Sequence, residues 1–86
     1  MKIWTDCAWE QYLYWQEQDK KTLKKINKLL EDIERNGNFG LGHPEQLSGN
    51  LSGYWSREID KKNRLVYKIE GDFIKIYQCK NHYDDK

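Results

Sequence analysis

The sequence predicts an α+β fold in which two N-terminal helices pack on one face of an antiparallel sheet. Apolar residues in the first half of the chain recur at helical spacing. The second half contains three short runs with the alternation that is typical of strands burying one face. Most of the glycines and the only proline lie between the two halves. A length of 86 residues indicates one domain, residues 1–86.

The two helices can be delimited from their capping residues. Lys2–Trp4 is a short strand candidate, and Thr5 after it is a suitable N-cap for the first helix. Asp19 is a suitable N-cap for the second helix, and Gly37 is its C-terminal stop. The second helix carries a single apolar stripe, which consists of Leu23, Ile26, Leu29, Leu30 and Ile33.

The second helix is also rich in lysine, and these side chains lie mostly off the apolar stripe: Lys20, Lys21, Lys24, Lys25 and Lys28. They could bind an RNA backbone or form an ordinary solvated helix face, and the residues alone leave both alternatives open. Lys28 is expected to pair with Asp32, four residues further along the helix. The net charge is +1, so a nucleic-acid partner requires an uneven distribution of charge.

The second half of the chain predicts a loop followed by three strands. The loop spans residues 36–48, and the strands are expected at Tyr54–Asp60, Arg64–Glu70 and Phe73–Tyr83. The last run does not alternate cleanly, and a bulge within it would reset its parity. Counting alone therefore does not place His82 on either face.

Alternation along the first two of these strands assigns their side chains to faces. Arg57 has the parity of the apolar residues that should meet the helices. Arg64 and Glu58 have the opposite parity, so we expect them on the open face of the sheet, away from the helices.

The composition limits the classes to which this protein can belong. No apolar run is long enough for a signal peptide or a membrane span, which predicts a cytoplasmic protein that does not bind membranes. Cys7 and Cys79 form no CxxC motif and are expected to be free thiols. His43 and His82 are the only histidines and have no zinc-ligand spacing, so neither a metal nor a cofactor is predicted.

Four polar residues in this half could together cleave RNA. RNA carries its own nucleophile, the 2′-hydroxyl, so an enzyme needs a base, an acid and a cation for the phosphoryl charge. Glu45, behind Pro44 in the loop, can be the base, and His82 can be the acid. Arg64 offers a donor fork that matches phosphate, and Tyr83 can stack on a base. Taken singly, such residues are more often surface groups or salt-bridge partners.

Several sequence segments together carry a family resemblance. They are YLYWQ in the first helix, KKINKLLEDIERN in the second, and then HPEQL, NLSGYWSR, NRLVY and the closing CKNHY. In this order and spacing the chain resembles the YoeB (Txe) branch of the RelE-type toxins of bacterial toxin–antitoxin systems. The resemblance extends from the first strand to Tyr83.

The resemblance implies a microbial-RNase-like fold and an endoribonuclease that cuts mRNA in the A site of the 70S ribosome, without a metal. It assigns general base to Glu45, transition-state stabilisation to Arg64, general acid to His82 and a substrate contact to Tyr83. Arg57 is a further candidate for substrate binding. It also implies inhibition by a cognate antitoxin of the YefM or Axe type, and a homodimer is a further possibility.

The chain departs from the family pattern at three places. Glu58 stands where the family usually has a second arginine after Trp-Ser, Ser48 stands where a lysine is common, and 84–86 extend beyond the usual end. These departures bear on RNA affinity more than on fold. Two alternatives therefore stay open: a degenerate toxin that binds a ribosome or an antitoxin with little cleavage, and a small structural domain without an active site.

Overall fold

The computed structural model of the protein describes residues 1–82. Its elements are, in chain order, β1 (Lys2–Trp4), α1 (Asp6–Gln18), α2 (Lys20–Asn36), β2 (Glu45–Gln46), a single 3-10 turn (Gly49–Leu51), β3 (Trp55–Glu58), β4 (Arg64–Glu70) and β5 (Phe73–Gln78). The strands form one five-stranded sheet in the order β1-β5-β4-β3-β2. The predicted α+β class with two helices is confirmed, but the sheet is mixed, because β1 runs parallel to β5.

The helices begin and end where the capping residues predict. The Thr5 hydroxyl accepts a hydrogen bond from the Ala8 amide at 3.0 Å, and the Asp19 carboxylate accepts from the amides of Lys21 and Thr22. Gly37 ends α2 with φ of 66°, a conformation that favours glycine. Side-chain caps thus satisfy one of the free backbone donors at the start of α1 and two at the start of α2.

The core lies between the helices and one face of the sheet. The predicted α2 stripe supplies four of its buried members, and the sheet supplies the rest of the central layer: Ile26, Leu29, Leu30, Ile33, Leu65, Tyr67, Ile74 and Ile76. Because side chains alternate along β4, Leu65 and Tyr67 face the helices while Arg64 faces the other way. The face opposite the helices is called the open face below.

The last strand is shorter than predicted. It ends at Gln78, not at Tyr83, and its register with β4 shifts between Val66 and Tyr67, as at a bulge. Beyond Gln78 the backbone turns to α1: the Cys79 amide donates to Gln11 at 2.7 Å, and the Cys79 carbonyl accepts from the Trp15 indole at 2.9 Å. These bonds to helix side chains replace the strand pairing that the sequence predicts beyond Gln78.

The loop between α2 and β3 also differs from the prediction at one point. Glu45, expected in an irregular loop, lies in the two-residue edge strand β2, opposite Ser56 of β3. A ladder with β3 therefore holds the backbone of Glu45, in addition to the rigidity that Pro44 supplies.

The first strand depends on the last one for its place in the sheet. The Ile74 amide donates to the Met1 carbonyl at 2.8 Å, and the ammonium group of Met1 donates to the Asp72 carbonyl at 3.1 Å. Lys2 at the start of β1 forms an ion pair with Glu34 of α2. The beginning of the described chain is thus fixed to both layers.

Both cysteines are free thiols, as the sequence predicts. Cys7 is exposed, whereas Cys79 is fully buried and burial raises the pKa of its thiol to about 12. No helix within residues 1–82 has the length and apolar character needed to cross a membrane.

A buried arginine fixes the loop that follows α2. The Arg57 side chain is 0% exposed, and its Nη1 atom forms an ion pair with the Asp32 carboxylate at 2.5 Å. The same guanidinium donates to three loop carbonyls, at 2.7 Å to Gly37, 3.2 Å to Phe39 and 3.0 Å to Leu41. One cation therefore donates to three backbone carbonyls of the loop as well as to the Asp32 carboxylate.

Asp32 is held by the same network, and it is not the partner of Lys28 that helical spacing predicted. Its carboxylate accepts from Arg57, from the Leu41 amide at 3.0 Å and from Asn36 at 2.8 Å. The hydrogen bond from Arg57, and then that from Leu41, hold the pKa of Asp32 below its usual range. A Cβ atom at Gly40 would overlap this carboxylate, so the loop requires glycine there.

We predict that Arg57→Ala destabilises the fold by roughly 3–5 kcal/mol, because it leaves Asp32 without its cation and three carbonyls without their donor. Urea unfolding followed by circular dichroism measures the change. Arg35→Ala, which removes an exposed arginine from the last turn of α2, is the matched control and should cost about 0.5 kcal/mol or less. Equal losses for the two variants would contradict the structural role of Arg57.

Candidate active site

The register of the sheet brings a carboxylate and an arginine to the same face. Glu45 is directly opposite Ser56, Ser56 is opposite Val66, and Arg64 is opposite Glu58. Residues that face each other across antiparallel strands project to the same side, so Glu45, Ser56 and Arg64 share the open face. Ser56 on the middle strand lies between the other two.

Arg64 is held at one end of its guanidinium and lacks a hydrogen-bond acceptor at the other, among the residues that the structure describes. Its Nε atom donates to the Ser56 hydroxyl at 2.7 Å. Its Nη2 atom is buried and has no hydrogen-bond partner among the described residues. A buried donor without an acceptor is costly, so this end of the guanidinium is complementary to an anion.

His82 follows a turn that is tied to the start of β4. The Arg64 amide donates to the Asn81 carbonyl at 3.0 Å, and Asn81 adopts φ of 66°, in the left-handed region. The Gln78 side chain donates to the carbonyls of Lys80 and Asn81 at 3.1 and 3.2 Å. His82, half-buried, is therefore one residue away from a backbone contact with Arg64.

Asn63 supports this turn, and sequence reasoning missed it. Its side-chain oxygen accepts from the Asn81 amide at 2.7 Å, while its amide nitrogen donates to the Asp60 carboxylate at 3.1 Å. Asp60 in turn accepts from the backbone amides of Lys62 and Asn63, both at 2.8 Å. The sequence signal was Asp60 three residues before Asn63, which predicted only a turn between strands.

Arg57 is not part of this arrangement. The sequence analysis gave it as a substrate contact, but its side chain is fully buried on the helix-facing side and its donors are directed to Asp32, Tyr67 and the loop carbonyls. A substrate on the open face cannot reach it. Tyr83, the other predicted substrate contact, lies outside the described residues, as do 84–86.

Glu58 lies directly opposite Arg64 on the open face, as parity predicted. The ion pairs within residues 1–82 are Lys2 with Glu34, Arg57 with Asp32 and Lys68 with Glu70, and none joins Glu58 to Arg64. Arg64 is instead oriented by Ser56. Glu58 therefore adds a negative charge to the open face at the position opposite Arg64, without forming an ion pair with it.

The arrangement offers acid–base chemistry beside an anion-binding group. One carboxylate and one guanidinium share the open face, and an imidazole follows a turn that is bonded to the same arginine. Within the described part of the chain, no cluster of three or more His, Cys, Asp or Glu side chains is placed to hold a metal ion.

Comparison with solved structures first defines the class of fold. The YafQ structure from Escherichia coli superposes with a TM-score of 0.78 over 95% of this chain and 92% of that chain, at 13% sequence identity. At this identity the likeness concerns the fold alone. The mixed sheet with two helices on one face is therefore a fold that this chain shares with YafQ.

Sequence comparison then identifies the family. The chain belongs to the YoeB-like toxins of bacterial type II toxin–antitoxin systems, whose sequence profile matches residues 4–83. A toxin YoeB from Escherichia coli K12 is 49% identical over 81 residues, which cover 94% of this chain and 96% of the relative.

Solved structures from Staphylococcus aureus agree with this assignment. A YoeB in a heterotetrameric YoeB–YefM toxin–antitoxin complex is 49% identical, with a TM-score of 0.91 over 96% of this chain and 97% of that one. A YoeB dimer from the same organism is also 49% identical, with a TM-score of 0.90 and 95% of each chain covered. The family resemblance that the sequence motifs carried is thus confirmed.

We predict that Asn63→Ala loosens the turn before His82, because the Asn81 amide loses its acceptor. A hydrogen bond contributes about 0.5–1.5 kcal/mol net, so hydrogen exchange at the Asn81 amide should accelerate roughly 2- to 10-fold. Asn50→Ala, in the exposed 3-10 turn, is the matched control and should leave this amide unchanged. Unaltered exchange in Asn63→Ala would show that Asn63 does not hold the turn.

Proposed function

We propose that this toxin is an endoribonuclease that cleaves mRNA in the ribosomal A site and so inhibits translation. The guanidinium of Arg64 is the observation that carries the proposal, because its buried Nη2 atom has no acceptor among the described residues and shares a face with Glu45. Membership of the YoeB-like toxin family supports the same activity.

In the proposed mechanism the attacking group belongs to the substrate. Glu45 takes the proton of the 2′-hydroxyl, whose oxygen attacks the adjacent phosphorus. The bond from phosphorus to the 5′-oxygen breaks, and His82 donates a proton to this leaving oxygen. Arg64 binds the phosphoryl oxygens, on which negative charge grows in the transition state. The products are a 2′,3′-cyclic phosphate and a 5′-hydroxyl, and Tyr83 is proposed to contact the substrate. The mechanism gives no step to a metal.

Two kinds of protein partner belong to the proposal. The relative from Staphylococcus aureus is solved in complex with YefM, and an antitoxin of this type that covers the open face would block Arg64. A YoeB from the same organism is solved as a dimer, and we extend the homodimer to this chain on the 49% identity.

A second candidate function is supported by Glu58. Glu58 is directly opposite Arg64 in the strand register, so its negative charge would repel a phosphate that approaches the guanidinium. A toxin with this charge could bind the ribosome or the antitoxin and cleave slowly. The cleavage rate separates the two candidates.

The mechanism predicts that cleavage depends on the 2′-hydroxyl. Single-turnover cleavage on mRNA-programmed ribosomes should give 2′,3′-cyclic phosphate ends, and a 2′-deoxy nucleotide at the scissile position should abolish it. Glu45→Gln and His82→Gln should each lower the rate by about 10²–10⁴-fold, as removal of an acid or base does.

Glu17→Gln, on the exposed side of α1, is the matched control and should cleave at the wild-type rate. Circular dichroism shows whether each variant is folded. A deoxy substrate cut at the normal rate would overturn the mechanism, and a folded Glu45 or His82 variant with near-native rate would overturn the role of that residue.

We also predict that Glu58→Arg tightens ribosome binding. The change removes a repelling charge and adds a phosphate contact, so the salt dependence of binding should steepen by about 0.7–0.9 in log–log slope. Ribosome affinity as a function of salt measures it, and Glu31→Arg on α2 is the control for charge alone. An unchanged slope combined with slower cleavage would show that Glu58 supports Arg64 instead of opposing RNA.

A further inference from the structure

Two tyrosines form an aromatic pair on the open face, beside the candidate active site. The ring centroids of Tyr54 and Tyr77 are 5.5 Å apart, with the ring planes tilted by 58°. Tyr77 is 40% exposed and Tyr54 is half-buried. The backbone of Tyr54 is held on both sides, since its amide donates to Leu51 and its carbonyl accepts from Leu47, both at 2.9 Å. The pair is therefore a fixed aromatic surface that reaches solvent.

Two lysines flank this pair and face each other across the strands. Lys68 of β4 is directly opposite Lys75 of β5, and the Lys68 ammonium is 5.7 Å from the centroid of the Tyr54 ring. Like charges directly opposite each other destabilise a sheet. Glu70 offsets part of this repulsion, since its carboxylate is 3.7 Å from Lys68. An anion bound between the lysines would relieve it further.

The patch continues the active-site surface along the same strands. Tyr54 lies two residues before Ser56 on the chain, and Lys68 lies two residues after Val66, the partner of Ser56. Two residues along a strand span about 7 Å and return to the same face. The tyrosines and lysines therefore form the row of the open face that adjoins Glu45 and Ser56, and Lys68 lies four residues along β4 from Arg64.

We propose that Tyr54, Tyr77, Lys68 and Lys75 form a nucleotide subsite, which binds one mRNA nucleotide on the same strand as the cleaved bond. A base stacks on the aromatic pair, and its phosphate binds the lysines, which is how proteins bind single-stranded RNA with little sequence preference. The subsite rests on the proposed function, because it binds the same mRNA strand that the candidate active site cleaves. It contributes binding and register, and it does not touch the reacting atoms.

An acidic protein segment is the other ligand that a patch of two lysines and two tyrosines could bind. Single-stranded RNA fits better, because it supplies both a planar base and an adjacent phosphate, and because the patch is continuous with a surface that already binds phosphate in the proposal. The protein alternative is therefore treated as a competing outcome of the test.

The test measures binding, so that it does not require cleavage. The probe is a fluorescent eight-nucleotide RNA with 2′-O-methyl groups, which lacks the attacking hydroxyl. The variants are Tyr54→Ala, Tyr54→Phe and Lys68→Gln. The matched control is Tyr14→Ala, because Tyr14 on α1 has a similar partner in Lys80, whose ammonium is 4.9 Å from its ring. Thermal unfolding shows that each variant is folded.

Tyr54→Ala is expected to weaken binding of the probe by about 5- to 150-fold, the effect of losing one stacked base. Tyr54→Phe keeps the ring and should bind like wild type. Lys68→Gln should reduce the log–log salt slope by about 0.7, one phosphate contact on a single strand. In cleavage assays Tyr54→Ala should raise KM and leave kcat unchanged, since the reacting groups are intact.

Three results would overturn the subsite. One is equal binding by Tyr54→Ala and Tyr14→Ala. The second is a Tyr54→Ala variant that binds mRNA-free ribosomes more weakly than wild type but binds the probe equally well, which would assign the patch to ribosomal RNA. The third is a Tyr54→Ala variant that loses binding to a glutamate-rich peptide while its affinity for RNA is unchanged. A wild-type protein that binds the probe but never cleaves mRNA would refute the proposed function and leave the binding comparison intact.

Discussion

The ion pair between Arg57 and Asp32 is the interaction on which the rest of the site depends. It joins β3 to α2 and orders the loop from Gly37 to Leu41 through backbone carbonyls. The Gly42 carbonyl then accepts from the Glu58 amide at 2.7 Å, and the chain passes through Pro44 into β2. Glu45 reaches its position opposite Ser56 because this loop is fixed, so a buried cation on one face of the sheet positions a carboxylate on the other.

The opposite corner of the site is built from hydrogen bonds instead of a buried charge. Asp60 orders the turn between β3 and β4, Asn63 holds the Asn81 amide, and the Arg64 backbone holds the Asn81 carbonyl. Each of these bonds contributes about 1 kcal/mol, far less than the buried ion pair network. The segment before His82 is therefore the part of the site that most easily changes geometry, whereas the Glu45 side is rigid.

Local sequence signals predicted the helices, because a capping side chain and its helix are neighbours in the chain, as Thr5 and Asp19 show. Parity correctly placed Arg64 on the open face. The wrong predictions concern contacts between residues that are distant in sequence. Helical spacing predicted an ion pair between Asp32 and Lys28, but Asp32 binds Arg57 of β3. The last strand ends early because Cys79 bonds to Gln11 and Trp15 of α1. Spacing along one strand or helix holds no information about such contacts.

The pairing of β1 with β5 has a consequence for how the protein is made. Lys2 is in register with Ile74, so the first strand to be synthesised must wait for the last one before it can join the sheet. Contacts between such distant segments form late, since closing so long a loop costs chain entropy. Translation must pass Ile76 before the sheet can close. A chain interrupted before that point therefore lacks both the complete ladder between β1 and β5 and the turn that precedes His82.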